Sequence, residues 1–110
     1  MASRNHINPD LPVFARRLKS ARLAMGLTQV QLALQAGMEE ASASARMAGY
    51  EAGKHLPDID VAQHLANSVG LPLAFFFCED ELLAQIIQTV HGMTVKRKNK
   101  LLDWIRDNSQ

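Results

Sequence analysis

The chain has 110 residues, of which 47% are hydrophobic and 21% charged, and its formal net charge is only +1. That length suits one domain with a small helical appendage, and that apolar share supports a packed core and excludes a disordered tail. One cysteine, Cys78, excludes an internal disulfide and any multi-cysteine metal site, and no apolar run approaches the roughly 20 residues that span a bilayer.

Residues 1–9 are polar and expected to fray, with no signal-peptide core among them, so the expected setting is the cytoplasm. Asp10 is placed to cap a first helix, with Pro12 in its first turn. Phe14, Leu18, Ala21 and Met25 then form one apolar stripe, with Arg16, Arg17, Lys19 and Arg22 off it, the first three of these on a face expected to be solvated. Gly26 ends this helix. Thr28 can cap the next one, and Gln31, at the third helical position, can complete a capping box. Leu32, Ala33 and Ala36 share a face, and Gly37 stands where a helix end calls for positive φ. A run rich in Ala and Ser follows, with Met47, Tyr50 and Glu51 inward, and Gly53 closes it. A capped helix, a glycine turn and a second helix of small residues make a helix-turn-helix pattern over residues 28–53. The second helix of that motif enters the major groove of DNA.

His55, Leu56 and Pro57 form a short connector. Asp58 can cap a helix reaching Ser68, with Ile59, Ala62, Leu65, Ala66 and Val69 inward. After Gly70, a short helix with Pro72 in its first turn carries two or three of Phe75, Phe76 and Phe77 into the core. Cys78 beside them reads as a small buried hydrophobe. Five helices therefore close a bundle. Asp80 then caps a stripe of Leu82, Leu83, Ile86, Ile87 and Val90, Gly92 interrupts it, and Thr94 caps a second stripe of Val95, Leu101, Leu102 and Ile105 with Trp104 beside it. No segment alternates with period two for long enough to make a strand, so the expected class is all-α. The organisation expected is a helix-turn-helix DNA-binding domain over 10–77 and a helical hairpin over 78–110. The hairpin carries more apolar area than one small bundle needs, which points to homodimerisation through Leu83, Ile86, Ile87, Val90, Leu102 and Ile105. The alternative is that it packs on its own bundle.

Charge is unevenly spread. Between Leu11 and Lys54 there are six basic residues (Arg16, Arg17, Lys19, Arg22, Arg46, Lys54) against three acidic ones (Glu39, Glu40, Glu51), an excess that suits phosphate contact. With Met47 as the inward anchor, Ser42, Ala45, Arg46 and Gly49 are expected to lean outward. Arg46 is the one long hydrogen-bonding side chain among them and can bind guanine O6 and N7 through two parallel donors, so it is the expected main base reader. Ser42 and Ser44 can bond bases or phosphates, and Ala45 can touch a thymine methyl. Gln29 lies just inside the Thr28 cap, where free backbone N–H groups face a phosphate, and Lys54 offers a phosphate partner beyond Gly53. Lys96, Arg97, Lys98 and Lys100 open a helix, where cations are disfavoured, which leaves either an external anion or a solvated face.

These residues resemble the XRE-type (Cro/C1-type) helix-turn-helix family of phage and bacterial repressors. The resemblance is carried by Leu18-Lys19-x-x-Arg22, Gly26-Leu27-Thr28-Gln29-x-x-Leu32-Ala33-x-x-Ala36-Gly37, Tyr50-Glu51-x-Gly53-Lys54 with Pro57, and Leu65-Ala66 followed by Gly70-Leu71-Pro72. It spans residues 14–77 and implies a five-helix lambda-repressor-like bundle, here with a two-helix C-terminal extension. It also implies DNA contact at Gln29, base-reading positions at Ser44, Ala45 and Gly49, and a structural ion pair between Arg22 and Glu51. The interval from Gly37 to Glu51 is about one helical turn longer than the family pattern, with the extra residues near 38–41, so the start of the recognition helix stays open.

The resulting expectation is a dimeric, nucleoid-associated repressor on a near-palindromic operator, since the sequence offers no sensor or activation segment. Two alternatives share the fold. One is an antitoxin that binds DNA and a toxin protein; the other is an interaction module that has lost DNA binding. An enzyme is not expected: there is no phosphate-cradling glycine motif and no nucleophile with a neighbouring base. His6, His55, His64 and His91 are scattered without ligand spacing, so neither a metal nor a cofactor is expected.

Overall fold

The computed structural model describes residues 7–109, and the expected fraying of the first six residues, with His6, and the end of the hairpin at Gln110 lie outside them. Seven helices follow in order: α1 Val13–Ala24, α2 Gln29–Gln35, α3 Glu40–Glu51, α4 Ile59–Val69, α5 Leu73–Phe76, α6 Glu81–His91 and α7 Val95–Asn108. No strand occurs among the described residues. The fold is all-α, a five-helix helix-turn-helix bundle followed by two further helices.

Local chemistry sets most of the boundaries. Thr28 Oγ1 accepts from the Gln31 N–H at 3.1 Å while the Thr28 N–H donates to Gln31 Oε1 at 2.8 Å, a complete capping box. Asp58, Asp80 and Thr94 cap α4, α6 and α7 through their side-chain oxygens. α1 differs. It starts after Pro12, whose extended backbone makes it the N-cap, so Asp10 does not cap the helix and its N–H donates to Asn8 Oδ1 instead.

The end of α2 answers the open question about the longer interval. Gly37 takes φ +88°, its N–H donates to the Leu34 carbonyl, and the Met38 N–H reaches back to the Ala33 carbonyl, the two bonds of a Schellman turn. Met38 is then buried in the core, Glu39 is the N-cap, and Glu40 and Ala41 form the first turn of α3. The additional residues therefore anchor the turn and lengthen the second helix at its start.

The core gathers Phe14, Leu18, Leu32, Met47, Leu65 and Phe76 with several alanines, and α2 packs most extensively against α3. Phe14 sits between Phe76 and Phe77, with ring centroids 5.5 and 5.4 Å away. Phe77 stays 45% exposed, so two of the three phenylalanines are core residues. Met25, Ile59 and Arg17 depart from the expected pattern. Met25 and Ile59 are exposed, because Met25 falls beyond the last turn of α1 and Ile59 opens α4 outside the bundle. Arg17, expected on a solvated face, is 5% exposed and donates to the Cys78 carbonyl (3.1 Å from Nε, 2.8 Å from Nη2) and to Glu81 Oε2 at 2.9 Å. Cys78, expected to be buried, is half-buried.

The last two helices pack sparsely. Ala84 is the one buried residue of α6, and α7 has none. Leu83, Ile86, Leu102 and Ile105 are all about half exposed, while Ile87 and Val90 are intermediate.

Candidate nucleic-acid interface

α2 and α3 meet through Leu32, Ala33, Ala43 and Met47, all fully buried, so the outer surfaces of both helices form one exposed face. The buried line Ala43–Met47–Tyr50 fixes how α3 is turned. On its solvent side stand Ala41, Ser44, Ala45 and Ala48, with Ala52 just past its end. That face is rotated from the one expected. Ala45 lies on it with Ser44, but Ser42 and Arg46 flank it half-buried, and Ala41 and Ala48 take the central places.

Gly49 is a correction. It was expected to lean outward, yet it is buried beneath the His55 imidazole: a Cβ built on it would lie 2.8 Å from His55 Cδ2. The chain reverses after α3, with the Lys54 N–H donating to the Gly49 carbonyl at 3.0 Å, and this turn folds His55 back over the helix. Arg46 also lies closer in than its expected role requires. Its Nη2 donates to the Tyr50 hydroxyl at 3.2 Å, and its guanidinium carbon is 6.0 Å from the Tyr50 ring centroid.

On the other flank, Gln29 is tied to the scaffold. Arg22 grips the Glu51 carboxylate with two parallel bonds, Nε to Oε2 at 2.6 Å and Nη2 to Oε1 at 2.9 Å. Its Nη1 donates to the Leu27 carbonyl at 2.8 Å, in the loop just before the α2 cap. The same Glu51 oxygen accepts from Gln29 Nε2 at 3.3 Å. One buried ion pair thus joins α1, the loop before α2 and the end of α3, and it orients the half-buried Gln29. One amide N–H and the carbonyl oxygen of Gln29 remain for an external partner. A shallow concavity of about 370 Å³ lies beside it, lined by Asn8, Lys19, Gln29, Ala48 and Ala52 among others.

The remaining candidates are placed as follows. Thr28 is exposed and committed to its capping box, Ser42 donates weakly to the Glu39 carbonyl at 3.4 Å, and Lys54 is exposed beyond Gly53. Lys96, Arg97, Lys98 and Lys100 belong to α7, not to the α2–α3 face. Sequence reasoning passed over Ala41 and Ala48 as outward residues and His55 as the cover of Gly49. The first signal was present in the spacing from Ala43 and Tyr50; the second was not, since it depends on the turn after α3. No helix among the described residues is long and apolar enough to cross a membrane.

A capped helix and a second helix with an unobstructed outer face of small side chains, on an all-α bundle, define the helix-turn-helix class. Comparison with solved structures makes this more particular. The chain superposes on the crystal structure of the transcriptional regulator BswR with a TM-score of 0.80 and 38% sequence identity, over 84% of this chain and 92% of that one. The chain belongs to the family of transcriptional regulators that contains BswR. No protein-family model matches the chain, and no curated protein does.

Proposed function

We propose that this chain is a sequence-specific DNA-binding transcriptional regulator that acts as a dimeric repressor on a near-palindromic operator. The observation that carries the reading is the outer face of α3, where Ser44, Ala45 and Ala48 stand clear of all packing beside a Gln29 held by Glu51. Side chains this small let a helix sit deep in a major groove, and the free N–H groups at the start of α2 suit a phosphate. In this reading Gln29, Thr28 and Lys54 hold the backbone, and Ser44 and Ala45 meet base edges with Ser42 at the rim. Arg46 leaves Tyr50 to reach guanine. Few polar groups face the groove, so sequence-dependent DNA shape supplies part of the specificity.

The hairpin supports the dimer. Exposed Leu83, Ile86, Leu102 and Ile105 need a partner surface, and a second copy related by a two-fold axis would present two α3 helices to half-sites about 34 Å apart. Occupying promoter DNA in this way represses without any further domain. The same exposed hairpin favours, as a second reading, an antitoxin whose toxin covers it.

The test is selection of duplexes from a random-sequence pool, followed by affinity measurements across a salt series for the wild type, Arg46→Ala and Gln29→Ala. The expected result is an enriched palindromic sequence bound with a steep salt dependence, and Gln29→Ala, which removes no charge, should weaken binding without changing the log–log slope. Arg46→Ala should relax base preference at one position of each half-site. Failure to enrich any sequence would overturn the reading.

A further inference from the structure

We propose that Arg17 is a positioning residue for operator recognition: it locks the α6–α7 hairpin onto the DNA-reading bundle and thereby sets the half-site spacing that the dimer accepts. The inference rests on the DNA-binding dimer proposed above. Its basis is an imbalance in how the hairpin is attached. α6 meets the bundle core through Ala84 and the half-buried Ile87, and α7 buries nothing, so few apolar contacts fix the orientation of these two helices. The connection between α5 and the Asp80 cap is only Phe77, Cys78 and Glu79. Into this connection reaches a guanidinium from α1, in the middle of the bundle.

The clamp is specific. Nε and Nη2 of Arg17 both donate to the Cys78 carbonyl, at 3.1 and 2.8 Å, and Nη2 also approaches the Glu79 carbonyl at 3.5 Å. Nη1 donates to Glu81 Oε2 at 2.9 Å in the first turn of α6, and the guanidinium carbon lies 5.6 Å from the Phe75 ring centroid. A single rigid fork thus holds α5, the connecting backbone and α6 together. Lysine could not do this, because its ammonium cannot span two carbonyls and a carboxylate in one plane. The Arg17 side chain is 6% exposed and that of Glu81 65%, so the guanidinium and its bonds to backbone carbonyls are shielded while the carboxylate meets water. None of its hydrogen bonds goes to α2 or α3, so half-site reading does not depend on it directly.

In a two-fold dimer joined through the hairpins, the orientation of each hairpin on its bundle fixes the distance and angle between the two α3 helices. A rigid joint accepts one operator spacing, whereas a loose joint tolerates several, because both half-sites can still be engaged together. Each inserted base pair moves a half-site by about 3.4 Å and roughly a tenth of a turn.

The experiment uses the operator selected above, rebuilt with one base pair removed or added at its centre. Full-length wild type, Arg17→Gln, and a second variant with one glycine inserted after Glu79 are compared on it. The isolated half-site and the oligomeric state by light scattering serve as parallel readouts. Wild type should lose about tenfold or more in affinity when the spacing changes, while both variants should lose roughly threefold or less. Both variants should keep dimer mass and half-site affinity, which a merely destabilised bundle would not. Equal spacing discrimination in all three proteins overturns the inference alone, as does a wild type indifferent to spacing. The glycine insertion keeps the test decisive should Arg17→Gln fail to fold. Absence of any selected operator overturns the DNA-binding reading, and this inference with it.

Discussion

Replacing Glu51 by Ala removes the acceptor of a buried cation. The Arg22 and Glu51 residues are 9% and 5% exposed, so the guanidinium left behind would keep one partner, the Leu27 carbonyl, and little water. Breaking one side of a buried pair costs about 3–5 kcal/mol, against roughly 0–1 kcal/mol for an exposed one. A domain of this size is stable by about 5–15 kcal/mol in total, and each kcal/mol shifts Tm by roughly 4–8 °C, so Glu51→Ala should lower Tm by tens of degrees. Thermal unfolding followed by circular dichroism, with urea titration for the free energy, measures this. The double variant Arg22→Met with Glu51→Leu should recover most of the loss, because it removes both charges and fills similar volume. A cost below about 1 kcal/mol for Glu51→Ala would refute the argument, since the pair would then be behaving as a solvated one.

Gly37→Ala should destabilise the fold by about 1–2 kcal/mol in urea, because alanine must adopt φ +88° at the turn between α2 and α3. Gly49→Ala adds helix propensity but pushes a Cβ to 2.8 Å from His55 Cδ2, so it should be more favourable in a His55→Ala background than in wild type, by up to about 1 kcal/mol in a double-mutant cycle. Ile86→Glu with Ile105→Glu should convert a dimer to monomer in sedimentation and lower the helical circular dichroism signal by no more than the 14 residues of α7 contribute, as both side chains are about half exposed and outside the bundle core.

The parts of this fold that could be read in the sequence are those decided within a few residues. The Thr28–Gln31 box, the Gly37 turn and the Asp58, Asp80 and Thr94 caps each follow from a side chain and a backbone group less than a turn apart. The facing of α3 was harder. Alanine and serine occupy every side of that helix, so its sequence offers little contrast from which to find the buried line, and Ala43, fully buried, looks no different from Ala45, which is exposed. Arg17 was unreadable for another reason. Its partners are the Cys78 carbonyl and Glu81, more than sixty positions away, and a backbone carbonyl leaves no mark in a sequence. His55 over Gly49 belongs with it, since the turn after α3, not either residue type, brings the two together.

The last two helices link these points to function. A 14-residue helix with no buried side chain gains little from tertiary packing, and isolated helices of that length are marginal in water. α7 nevertheless carries Leu101, Leu102 and Ile105 on one side, where with Ile86, Ile87 and Val90 they line a groove of about 430 Å³. The dimer we propose would cover that groove and so give α7 the packing it lacks within one chain. α7 is also unevenly charged, with Lys96, Arg97, Lys98 and Lys100 in its first half and Asp103, Arg106 and Asp107 in its second, where Arg106 lies 3.9 Å from Asp103. Two copies crossing antiparallel would lay the basic half of one helix along the weakly acidic half of the other, whereas a parallel pair would stack four cations on four. A two-fold axis perpendicular to α7 would therefore cover the apolar groove and relieve the charge repulsion together.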